Sequence, residues 1–142
     1  MRKILVGVDG STYAEAAVRA VADLFGDLGE VSVTLLTVIR VVALATGVIE
    51  EPGSPGNPES WAYFEEPRKI LRHVGIEPTL LLREGDPAEE IVAAARQGGF
   101  DLIVVGHRGI STIKALVLGS VSQGVVAHAP CSVLVVRPES AG

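Results

Sequence analysis

The chain has 142 residues, 48% of them apolar and 20% charged, with a net charge of −5 at pH 7. That length suits one domain with a full core, and no apolar run reaches the roughly 18 residues needed to span a bilayer. The acidic balance, the few aromatics and the lack of a basic run argue against a nucleic-acid or anionic-membrane surface, and a single cysteine excludes an internal disulfide framework.

Met1–Ile4 runs straight into a strand pattern rather than a signal-peptide layout, so a cytoplasmic protein is expected. Lys3–Val8 reads as a buried strand. Ser11 or Thr12 can cap a helix to Phe25, with Glu15 completing a capping box from Thr12. Ala14, Ala17, Val18, Val21, Ala22 and Phe25 give that helix one apolar face. Val31–Ile39, rich in β-branched residues, is a second strand. The pattern then breaks: from about 41 to 67, prolines 52, 55, 58 and 67 and glycines 47, 53 and 56 predict an irregular loop. A short helix over about Pro67–Val74 leads to a third strand, Thr79–Leu82. Asp86-Pro87-Ala88-Glu89 is a helix start, with a cap, a proline in the first turn and an acid at the third position. That helix stops at Gly98-Gly99. Leu102–Val105 is the fourth strand, Val121–His128 a helix opened by Gly119-Ser120, and Val133–Val136 the fifth strand. Ser120 with Gln123 fits a second capping box. This alternation predicts one α/β domain over residues 1–142, a parallel sheet with helices on both faces. Strands that are continuous apolar runs fit burial on both sides.

One pattern carries chemistry. Gly106-His107-Arg108-Gly109 follows the fourth strand, and Gly119-Ser120 stands nine residues further on, at a helix start. Glycines let backbone amides approach a ligand closely, and a helix N-terminus attracts anions. Together they describe a phosphate cradle. It is not the P-loop of NTPases, because GK[ST] is absent. The plainer alternative is that the glycines only turn the chain and Ser120 only caps. A second loop, Val8-Asp9-Gly10-Ser11, follows the first strand. In an open α/β sheet, ligands bind at strand carboxyl ends where the winding reverses. If the first and fourth strands are neighbours, the two loops face each other across one crevice.

Four stretches make the chain resemble a universal stress protein of the small single-domain kind. They are Ile4-Leu5-Val6-Gly7-Val8-Asp9-Gly10-Ser11, Arg83-Glu84-Gly85-Asp86-Pro87-Ala88-Glu89-Glu90-Ile91, Asp101 to Gly109, and Leu118 to Ser122 continuing to Ala129–Val136. The resemblance implies a Rossmann-like open sheet of five parallel strands in the order 3-2-1-4-5, and a homodimer. The intact G-2x-G-9x-G-[ST] pattern resembles the ATP-binding branch of that family. Carried over by position, Gly106, Gly109, Gly119, Ser120 and Val121 would surround the phosphates and ribose. Val8, Asp9 and Val38 would lie on the adenine and sugar side, and Ser122 would add a hydroxyl near the phosphates. Mg2+ or Mn2+ could accompany the nucleotide. The proline-rich 41–67 segment departs from the family pattern.

Other side chains are open to two readings. Arg108 either neutralises phosphate or is an ordinary exposed arginine. Asp9 either contacts nucleotide or shapes the local turn. His107 could donate to a phosphate, but a solvent-facing ring is preferred. Lys114 and His73 read as solvated or structural, His128 suits a helix C-terminus, and Cys131 reads as an inert thiol. No spacing suggests a metal site or a Ser-His-Asp triad. Two functions remain: a module that binds ATP and signals through its surface, or a slow ATPase using the same crevice. The last strand, Ser132–Val136, is apolar and predicted to lie at an edge, so it should pair with a second copy.

Overall fold

The computed structural model describes residues 2–39, 41–44, 47–50, 59–108 and 118–138. In chain order the elements are β1 (Arg2–Gly7), α1 (Thr12–Phe25), β2 (Val31–Ile39), β3 (Val41–Leu44), β4 (Gly47–Glu50), α2 (Glu59–Ala62), α3 (Glu65–His73), β5 (Thr79–Glu84), α4 (Pro87–Gly98), β6 (Leu102–Gly106), α5 (Ser120–His128) and β7 (Ser132–Val136).

Five strands form one sheet in the order β5-β2-β1-β6-β7, and every neighbouring pair is parallel. Counted along the chain, this is the expected order 3-2-1-4-5. Side chains alternate across a strand, and both faces are covered. Ile4 and Val6 of β1 join Ala17, Val18 and Val21 of α1 and Leu71 of α3 in one core. Leu5 points the other way, to Ile91, Ala94 and Ala95 of α4 and Val125 of α5. Two cores flanking one sheet explain why these strands are apolar at successive positions.

Several starts and stops differ from expectation. Of the two expected caps of α1, Ser11 is the one used, its Oγ accepting from the Ala14 amide at 3.1 Å, and the helix ends at Phe25 as expected. Glu15 is drawn into an ion pair with Arg19 at 2.8 Å rather than a capping box. α3 begins at Glu65, two residues before the expected Pro67, because a proline in the first turn has no amide to lose. The stretch expected to be irregular from about 41 to 67 holds an antiparallel pair, with Val41 opposite Glu50 and Leu44 opposite Gly47, and the short α2. Val41, Val42, Val48 and Ile49 are strand formers, and they precede the prolines. β5 runs on to Glu84, beyond the expected Leu82.

Candidate functional site

β1 and β6 pair only from Ile4 opposite Leu102 to Val6 opposite Val104. Their outward pairings run further: Gly7 stays with Leu36 of β2, and Gly106 with Val136 of β7. The two central strands therefore separate at their carboxyl ends while each remains tied to its outer neighbour. A cleft opens between them, where the direction of winding reverses. Gly7, Val8 and Asp9 line one side, and Val105, Gly106 and Arg108 the other. Leu36 and Val38 of β2, Pro87 and Ile91 of α4, Ala14 of α1, and Val121 and Ser122 of α5 complete the lining.

Val8, Asp9, Val38, Gly106, Arg108, Val121 and Ser122 were expected at a site, and all line this one cleft. The Asp9 carboxylate accepts the Ser11 amide through Oδ1 at 2.9 Å, an Asx turn that orders the loop into α1. Gly106 has a packing reason to be glycine: a Cβ there would lie 2.7 Å from the carbonyl carbon and oxygen of Tyr13. The start of α1 thus rests directly on the end of β6. Arg108 lines the cleft, and among the described residues its buried Nε has no hydrogen-bond partner.

The beginning of α5 differs from the expected capping box. Gly119 is the N-cap, and Gln123 reaches the Leu118 carbonyl rather than the Ser120 backbone. The Gly119 amide donates to the His107 carbonyl at 2.7 Å. The helix leaves the amides of Ser120, Val121 and Ser122 without intrahelical acceptors. The side chain of Ser120 is exposed, and Ser120 lines a groove with Asp86, the N-cap of α4, and Ala88 and Glu89 of α4. Ser122 is buried, and its Oγ lies 2.9 Å from the His107 carbonyl and 3.0 Å from that of Gly119. Gly109 and Lys114 lie outside the described residues.

His107 does not face solvent. It is 9% exposed and meets the Tyr13 ring edge-on, with centroids 5.2 Å apart. Burial, and secondarily the charges of Arg137 and Arg108, hold its pKa below the ordinary value of 6.5. Burial, with Asp101 nearby, pushes the half-buried Cys131 thiol up, away from the reactive thiolate.

The sequence profile of the universal stress protein family matches residues 1–137. The chain belongs to that family. A Thermus aquaticus relative, the universal stress protein in the QAH/OAS sulfhydrylase 3′ region, is 56% identical over 96% of this chain and 98% of its own. Among solved structures, hypothetical protein MJ0577 superposes with a TM-score of 0.79 at 28% identity, over 99% of this chain and 98% of that one. A universal stress protein in complex with cAMP superposes with a TM-score of 0.74 at 26% identity, over 96% of each chain.

Within this universal stress protein, the apolar floor of the cleft escaped sequence reasoning. Leu36 fell inside the expected second strand, and Pro87 and Ile91 inside the expected helix start. They line the cleft because the sheet splits beside them, and no local pattern in the sequence marks that split. Among the described residues, no helix is long and apolar enough to cross a membrane.

Proposed function

We propose that this universal stress protein is an ATP-binding module of the stress response, whose occupancy by nucleotide changes the surface it offers to partners. The reading is carried by one observation: Arg108, with Val121 and Ser122 of the first turn of α5, lines the same cleft as Asp9, at the split between β1 and β6. The free amides of that turn and the guanidinium suit phosphates. Val8, Val38, Leu36 and Ile91 offer an apolar bed for a purine and its sugar. The relative crystallised with cAMP supports an adenine nucleotide in the same fold. Gly106, Gly119, Ser120, Val121 and Ser122, with Gly109, make the phosphate side, with or without Mg2+ or Mn2+. The protein acts in the cytoplasm as a homodimer paired through Ser132–Val136, and takes neither nucleic acid nor membrane as a partner.

A binding role is preferred to hydrolysis because Asp9, the one acid among the described lining residues, already accepts the Ser11 amide. The test is calorimetric titration with ATP, AMP and cAMP, with Arg108→Ala and Gly119→Val as variants. Wild type should bind, and either variant should weaken ATP by about tenfold or more. Unchanged affinity in both folded variants would put the phosphates elsewhere. Phosphate release with Mg2+ or Mn2+ should stay far below one turnover per second; faster turnover would favour the enzyme.

A further inference from the structure

Val8 and His107 occupy matching places. Each is the first residue beyond a central strand, after Gly7 of β1 and Gly106 of β6. Each donates its amide outward to the neighbouring strand: Val8 to the Leu36 carbonyl at 2.8 Å, His107 to the Val136 carbonyl at 2.9 Å. Each carbonyl then accepts from a buried hydroxyl. Thr37 Oγ1 donates to Val8 at 2.9 Å, and Ser122 Oγ reaches His107 at 2.9 Å. Thr37 is 1% exposed and Ser122 is 2% exposed. Val8 and His107 are thus each held through both of their backbone polar groups.

We infer that Thr37 is a positioning residue of the cleft: its hydroxyl keeps the Val8 peptide against β2 and so aims the Asp9 loop, as Ser122 does for the His107 peptide on the opposite wall. A buried carbonyl without a donor is costly. Without the hydroxyl, the Val8 carbonyl must turn to find another partner, and Asp9, the next residue, turns with it. On the other wall the His107 carbonyl keeps the Gly119 amide as a second donor. The β1 side therefore depends on its hydroxyl more than the β6 side does.

The effect on ligand rests on the nucleotide-binding reading above, so two measurements are paired. Thr37→Val keeps the shape and removes the hydroxyl, while Thr37→Ser keeps the hydroxyl and removes a methyl. Amide hydrogen exchange in the ligand-free protein should quicken severalfold at Ser11, the amide held by Asp9, in Thr37→Val and not in Thr37→Ser. ATP affinity should fall about tenfold in Thr37→Val, with Thr37→Ser close to wild type and Ser122→Ala affected less. If Thr37 only fills space, the order reverses and Thr37→Ser is the weaker variant; that result overturns the inference. Unchanged Ser11 exchange in folded Thr37→Val overturns it as well. A wild type that binds no adenine nucleotide sinks the functional reading instead, and the exchange data then decide the positioning role alone.

Discussion

The surroundings of the His107 imidazole disfavour its charged form. Burial is the main cause, the charges of Arg137 and Arg108 act the same way, and the Tyr13 ring meets the imidazole edge-on. The folded protein therefore takes up this proton at a lower pH than the unfolded chain, whose histidine titrates near 6.5. Above that value the site contributes its full stability. As the pH falls through 6.5 the unfolded state gains a proton that the folded state resists, and stability declines until the folded pKa is reached. His107→Phe should keep a ring against Tyr13 and flatten the loss of stability between roughly pH 7 and 5. Urea melts across that range are the measurement, and equal slopes in both proteins would exonerate the histidine. In the sequence this residue looked solvent-facing because nothing in Gly-His-Arg-Gly signals direction. Tyr13, which turns it inward, belongs to α1 at the other end of the chain. Asp9 and Arg108 were each open to two readings in the sequence, and the structure places both on the lining of the cleft.

Elements with self-contained signals were read correctly, and those shaped by distant contacts were not. α4 carries its own punctuation. Asp86 accepts the Glu89 amide at 3.1 Å, Pro87 occupies the first turn, and Gly99 closes the helix at φ +64°. Asp86→Ala should cost about 1 kcal/mol in chemical denaturation while leaving the fold intact. A loss below a few tenths would mean that solvent replaces the cap. α5 is the contrast. Ser120 and Gln123 have capping-box spacing, yet Gly119 takes the cap, its carbonyl accepting the Gln123 amide at 3.0 Å while its own amide donates to the His107 carbonyl. α5 also lies unusually close to α4: a Cβ on Gly124 would stand 2.8 Å from the Ala88 Cβ. That approach sets one wall of the cleft, and a glycine inside a helical run does not disclose it in sequence.

Across the whole molecule, the alternation of strand and helix was enough to give a parallel sheet, and the family resemblance supplied the strand order. What neither supplied was the place where the sheet divides. β7 lies at one edge, bonded to β6 on its inner side. Val136 turns its carbonyl inward to His107, so alternation turns the Val135 amide outward, to the free edge. The proposed homodimer uses that edge. Val135→Pro should remove an outward donor, spare the inner ladder and shift the protein from dimer to monomer in light scattering. A wild-type monomer at micromolar concentration would refute the pairing. A dimer untouched by the folded variant would move it to another surface.

β1 has a second consequence, which concerns how the protein is made. It is the first strand to be synthesised, yet it lies in the middle of the sheet, with β6 on one flank. Its Lys3 amide is held by the carboxylate of Asp101, 98 positions along the chain. During synthesis, β1 can pair with β2 early, but its other flank waits until β6, Leu102–Gly106, has been made. For that interval the nascent chain carries an apolar strand with one open side, the form most prone to sticking to other chains. The sheet is complete only once β6 and β7 have both emerged.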